Sequence, residues 1–227
     1  TGVQTCALPI SDRTRLHRAA AEGLLALSRL SGGQRISDRG ADIGHRKRLG
    51  DHVVHDGVEA VRAAVRRQLR AGATWIKVFQ TGGVVDPHGR IDAEEFSADE
   101  FQTAFETAHM AGVPVAVHAH NKSAILRSIR TGCRSVEHGM HFDEECAEVA
   151  RDHGTFLVPT LTVMNRILVH GPQAGVPEYM IENVRQRTTK HHEYVKYAYD
   201  IGANIATGTD AGSMLTPHGS ARSEEHT

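Results

Sequence analysis

Hydrophobic and polar positions from residue 56 onward repeat as a unit: an amphipathic stretch, a glycine, a short apolar run and a polar residue. In DGVEAVRAAVRRQLRAG, Val58, Val61, Val65 and Leu69 form one stripe at helical spacing with arginines opposite, and Gly72 supplies a left-handed cap. TWIKVFQ follows as a strand. FSADEFQTAFETAHMAG opens with Ser97 and Glu100 at capping-box spacing, buries Phe101, Ala104, Phe105 and Ala108, and stops at Gly112. In VPVAVHAH the valines at 113, 115 and 117 alternate with Ala116, His118 and His120, so a strand places both histidines on one face. Asn121 can cap KSAILRSIRT, which ends at Gly132, and Asp143 can cap EECAEVARDH, which ends at Gly154. A longer helix from about Glu178 to Ile201 ends at Gly202.

The first polar residue of each apolar run keeps a nearly constant offset from the preceding glycine. Lys77 is five after Gly72, His118 six after Gly112, His138 six after Gly132, Thr160 six after Gly154 and Asp210 eight after Gly202. Five helix-to-strand units in one direction predict a parallel sheet. Strands this apolar are expected to be buried on both faces, in a doubly wound sheet or a barrel. Chemistry at the carboxyl ends of several strands favours the α/β (TIM) barrel. Upstream, LHRAAAEGLLALSRL reads as helix or helix plus strand, and SGGQRISDRGADIGHRKRLGDH as a long polar loop. An eight-stranded barrel is therefore short by about two strands, and the expectation is a barrel truncated at both ends.

Composition adds limits rather than chemistry. The 227 residues are 40% hydrophobic and 23% charged, which suits one soluble domain with a sizeable core. A net charge of -1 gives no sign of a nucleic-acid or anionic-membrane partner. There is no apolar run near the length of a membrane span and no secretory signal pattern, so a cytoplasmic location is expected. Cys6, Cys133 and Cys146 form no CxxC pair, and their odd count argues against a disulfide framework. The ends differ from the rest: TGVQTCALPIS at 1–11 and RSEEHT at 222–227 resemble translated sequencing adapter. The expected barrel domain is 12–221, with both end segments excluded as artefacts.

Four residues concentrate the chemistry. Lys77 lies inside WIKVFQ, where an unpaired ammonium is costly. It could pair with a carboxylate, form a Schiff base in a barrel lyase, or react with carbon dioxide to give a carbamate bridging two metals. His118 and His138, each closing a strand, read as half of a metal site, although a buried histidine is more often a hydrogen-bonded core residue. Asp210, in the glycine-flanked turn of NIATGTDAG, can present one carboxylate to the barrel mouth or serve as a turn residue. Lysine, two histidines and aspartate at successive strand ends favour the carbamate reading. HHEYVK at 191–196 is not HExxH, because Lys196 occupies the second histidine's position. TGGVV at 81–85 follows a strand without a prompt helix, so it reads as a lid rather than a phosphate cradle.

Taken together, GATWIKVFQTGGV, VPVAVHAH, GCRSVEHG, GTFLVPTL and ATGTDAG with PHG resemble the amidohydrolase superfamily, within it the imidazolonepropionase-like and Xaa-Pro dipeptidase (prolidase) group. The resemblance covers nearly all of residues 12–221. It implies a metal-dependent hydrolase of amide bonds, in a dipeptide or an N-acyl amino acid, with two divalent ions, zinc by expectation. Lys77 would be the carboxylated bridge, His118 and His138 ligands of the second ion, and Asp210 a ligand of the first. His120 would touch substrate, with Asn121, Thr160 and His218 as further substrate contacts. A hydroxide between the two ions would attack the carbonyl, with Asp210 passing its proton to the leaving amine.

The chain also departs from that pattern. No HxH precedes Lys77, and Gln34 in RLSGGQ stands where relatives carry a histidine. The fragment alone is therefore expected to be inactive. The alternatives are a one-metal enzyme opening a cyclic amide, a lyase using Lys77 as Schiff base, and a non-catalytic binding module. The expected partner is a small molecule or dipeptide, and a homo-oligomer is compatible with the sequence.

Overall fold

The protein is described by a computed structural model covering residues 57–84, 90–212 and 215–217. The upstream helix and polar loop, both end segments, Gln34 and His218 lie outside the described residues. In chain order the elements are α1 (Val58–Arg70), β1 (Ile76–Phe79), α2 (Ala98–Met110), β2 (Val115–Ala119), α3 (Lys122–Thr131) and β3 (Ser135–His138). Then follow α4 (Glu144–His153), β4 (Phe156–Val158), α5 (Leu161–His170), α6 (Glu178–Asp200) and β5 (Asn204–Ile205). Among the described residues no helix is long and apolar enough to cross a membrane.

All five strands are parallel and lie in sequential order, β1-β2-β3-β4-β5. A doubly wound sheet reverses its strand order at a switch point, whereas a barrel adds each strand beside the last. The order, with no reversal, is that of a barrel arc. Ile76, Val78, Val115, Val117, Ala119, Val136 and Leu157 join one core with residues of α1 through α4 and α6, so these helices share one face of the sheet.

The predicted helix signals operate as chemistry requires. Ser97 and Glu100 form a reciprocal capping box at the start of α2. The Asn121 and Asp143 side chains accept from the backbone N–H groups of Ala124 and Cys146, and Gly132 and Gly154 close α3 and α4 in the left-handed conformation. Two features differ from expectation. α5 is not among the expected helices: its N-cap Thr160 is itself left-handed and makes no side-chain cap, and Gly171 behind it stays right-handed rather than closing the helix as Gly132 and Gly154 do. Burial on the inner face is also only partial: the helix-facing side chains are fully buried, and inside Ser135, His118 and His138 are buried while Lys77, Phe79, Ala116 and Glu137 are half-buried.

Candidate active site

Pairing register sets which side chains share the inner face. Phe79 pairs with His118, and Lys77 with Ala116, so Lys77, Phe79 and His118 point to the same side of β1 and β2. His120, two residues beyond His118, joins them. Their ring centroids lie 4.5 Å apart for His118–His120, 4.5 Å for His118–His138 and 5.3 Å for His120–His138. A cavity of about 180 Å³ contains these three histidines, with Lys77 and Asp210 also in its wall. Val84 from the loop after β1 and Val163, Met164 and Ile167 from α5 form an apolar wall of the same cavity.

His138 reaches this cavity against its strand parity. Ala119 pairs with His138 and faces the helices, and Val136, two residues earlier on β3, also faces them. Continued alternation would bury the imidazole under the helices. Instead His138 takes φ 69°, and the Gly139 N–H donates across it to the carbonyl of Glu137 at 3.0 Å. This is a γ-turn of the rare positive-φ kind, and it re-aims the ring into the barrel. A non-glycine residue in this region is unfavourable by roughly 1–2 kcal/mol, and such strain concentrates at functional sites. Thr160 and Asp210 share the property, with φ 49° and 51°.

One ring nitrogen of each strand-end histidine is engaged by the protein. His138 Nδ1 lies 2.8 Å from Thr160 Oγ1, and His118 Nε2 lies 3.4 Å from the carbonyl of Gly82. Burial, reinforced by the neighbouring His120 and His138, holds the His118 pKa well below its ordinary value; burial with His120 and Lys77 does the same for His138. His120 is pushed down to about 3, by burial first and His191 next. All three imidazoles are thus neutral at physiological pH, the form that ligates metals.

Lys77 is half-buried, its Nζ 5.3 Å from the centre of the Phe79 ring, with no carboxylate paired to it among the described residues. A structural lysine would carry such a partner. Asp210 lies five residues past β5, exposed at the cavity rim. Its approach is set by Gly208, where an added Cβ would come within 2.4 Å of Val158 Cγ1. Asn121 does not line the cavity: its Oδ1 accepts from Ala124 N–H, and its Nδ2 donates to the Ile91 carbonyl at 2.9 Å. The hydroxyl of Thr160 is directed at His138 rather than at open space.

The donor set fits a divalent ion in part. His118 Nδ1 and His138 Nε2 have no protein partner among the described residues, and the buried His120 Nδ1 is unpaired. Among the described residues no group of three His, Cys, Asp or Glu side chains could hold a metal as it stands. The cavity therefore offers two imidazoles plus Lys77, with Asp210 at its rim.

Residues 5–223 match the amidohydrolase family. The chain belongs to that family. Aspergillus niger ochratoxinase is 34% identical over 157 residues, which are 69% of this chain and 32% of the relative. Its crystal structure superposes with a TM-score of 0.64 at 32% identity, over 75% of this chain and 39% of that one. A prolidase complexed with N-methylphosphonate-L-proline gives 0.66 at 35% identity, over 73% and 40%. A Xaa-Pro dipeptidase with methionine bound in its active site gives 0.66 at 29%, over 85% and 46%. The chain thus spans less than half the length of these amidohydrolases.

Two contributors to this amidohydrolase site escaped the sequence reading. α5 supplies most of the apolar wall. His191, within the HHEYVK stretch set aside as no metal motif, is fully buried on α6, and its Nε2–H donates to the His138 carbonyl at 2.7 Å. The signal was present: Met180, Ile181, Val184, Thr188, His191 and Ala198 form the buried stripe of α6.

Proposed function

We propose that residues 12–221 carry part of the active site of a metal-dependent hydrolase that cleaves the amide bond of a Xaa-Pro-like dipeptide or an N-acyl amino acid. The observation that carries this reading is the cluster of three buried, neutral imidazoles facing Lys77, which no carboxylate pairs among the described residues, in one cavity at the carboxyl ends of β1 to β3. Membership of the amidohydrolase family and the likeness to a prolidase and to ochratoxinase support it.

Lys77, as its carbamate, would bridge two divalent ions, zinc by preference, with His118 and His138 on one and Asp210 on the other. The carbamate would form by attack of the amine nitrogen on the carbon of carbon dioxide, one C=O π pair moving to oxygen and the N–H proton passing to solvent. Bound ions supply a Lewis acid for the amide carbonyl and a water of lowered pKa. Asp210, at the open rim, accepts the proton of the attacking water and delivers it to the leaving nitrogen. His120, in the cavity wall, would meet the substrate, and the wall of Val84, Val163, Met164 and Ile167 excludes bulk water from the bond being cleaved. No HxH pair precedes Lys77 in this chain, so residues 1–227 by themselves would be inactive.

Metal analysis of the intact enzyme, with assays against Xaa-Pro dipeptides and N-acyl amino acids, tests the reading. Two ions per chain, bicarbonate-dependent activation and amide hydrolysis are expected. One ion with cyclic-amide opening, or borohydride trapping of a substrate on Lys77, would overturn it.

A further inference from the structure

The γ-turn that brings His138 into the cavity needs something to hold it. The β3–β4 ladder ends at Glu137 opposite Val158, so the His138 carbonyl lies beyond the paired register. On the following residue, Gly139 has φ 60°, and any Cβ there would come within 2.8 Å of Leu157 Cδ1, so the backbone has no room to relax toward a side-chain-bearing conformation. On the ring side, Thr160 fixes Nδ1. On the backbone side the Gly139 N–H also reaches the Ala119 carbonyl at 3.2 Å, and the His138 carbonyl itself is held by His191, 53 residues away on α6, at 2.7 Å and fully buried. Among the described residues the Nδ1 of His191 has no partner, and a carbonyl can only accept, so the single ring proton belongs on Nε2, where it makes this bond.

We infer that His191 is a positioning residue: its Nε2–H bond to the His138 carbonyl locks the left-handed turn that swings the His138 imidazole from the helix-facing side of β3 into the active-site cavity. α6 thereby controls a ligand to which it contributes no coordinating atom. Thr160 sets the rotation of the ring, and His191 sets the face from which the ring emerges. The inference rests on the metal-hydrolase reading for its functional consequence but not for its geometry.

Three variants of the intact enzyme separate positioning from bulk stability: His191→Leu removes the donor, His191→Gln retains an amide N–H of similar reach, and His191→Asn keeps the amide but is too short. Crystal structures of the metal-free parent and variants are the first readout. In Leu and Asn variants His138 is expected to leave φ near 69° or its ring to leave Thr160, whereas Gln preserves both. Zinc affinity by chelator competition is the second, with a loss of about 10- to 100-fold for Leu and Asn and parent-like binding for Gln. If Leu fails to fold, the Asn and Gln pair decides. An unchanged His138 in the Asn variant, or a Gln variant as impaired as Asn, overturns the inference. A parent enzyme that binds no metal would instead defeat the proposed function, leaving the crystallographic comparison to decide this one.

Discussion

Ala119 and His138 are register partners across β2 and β3, yet their side chains leave the sheet on opposite faces: Ala119 is sealed in the helix-facing core, while the His138 ring lines the cavity. A single residue with positive φ separates the two outcomes. The catalytic reading of β3 depends on that local departure from strand geometry.

Thr160 acts on the same ring from the other side. Thr160→Val deletes the hydroxyl beside His138 Nδ1 at nearly constant volume, and is expected to weaken metal affinity about 10- to 100-fold with a smaller effect on unfolding. Thr160→Ser should recover most of the loss. Chelator competition and denaturant unfolding of the intact enzyme check both. Equal metal affinity in Val and parent would remove Thr160 from the site.

Gly208 controls the approach of Asp210. Gly208→Ala would drive a Cβ to within 2.4 Å of Val158 Cγ1, an overpacking expected to cost about 1–3 kcal/mol. Val158→Ala removes the opposing methyl, so the double variant should regain part of that stability. Strictly additive losses in urea unfolding would refute the contact.

The apolar wall from α5 predicts substrate preference. Met164→Ala enlarges the cavity beside the histidines, and should shift relative kcat/KM about tenfold toward substrates with a larger apolar side chain next to the scissile amide. Competition assays with paired short and long N-acyl substrates measure the ratio. A ratio unmoved by Met164→Ala and Ile167→Ala would assign the wall to the core alone.

Acid stability carries a signature of the α2 cap. The Ser97 hydroxyl, then the N–H groups of Gly57 and Ser97, hold Glu100 below its ordinary value of 4.5. A depressed folded pKa makes a contribution that is fully present above the unfolded value of 4.5 and is lost as pH falls through the folded value. Ser97→Ala should cost about 1 kcal/mol at neutral pH, with the difference from parent shrinking below pH 4.5. Unfolding curves from pH 7 to 3 test this, and a difference constant with pH would show that the ionised cap contributes nothing.

The features legible in the sequence were those that repeat. Glycine stops, caps at Asn121 and Asp143, and the offset of Lys77, His118 and His138 from their preceding glycines gave five parallel strands and the residues lining one cavity. What escaped was non-periodic. Parity of Val136 and His138 says the histidine faces the helices, and only the backbone angle reverses it. α5 has no side-chain cap at its start and its closing Gly171 stays right-handed, and His191 bonds a carbonyl far away in sequence, which no local pattern encodes.

Glu94 gives the cavity a further property. It accepts from Gln80 Nε2, from Ser123 Oγ and from Arg127, each within 2.9 Å, and Asn121 ties the Ile91 carbonyl to the start of α3. Gln80 N–H in turn donates to the His118 carbonyl, and Thr81 Oγ1 accepts from His120 N–H. Gln80, Thr81 and Glu94 after β1, His118 of β2 and His120 just beyond it are therefore tied into one hydrogen-bonded unit, ordered when the chain folds. A ligand entering this side meets a preset wall and spends little affinity on ordering it, so adjustment to substrate shape is left to α5 on the opposite side.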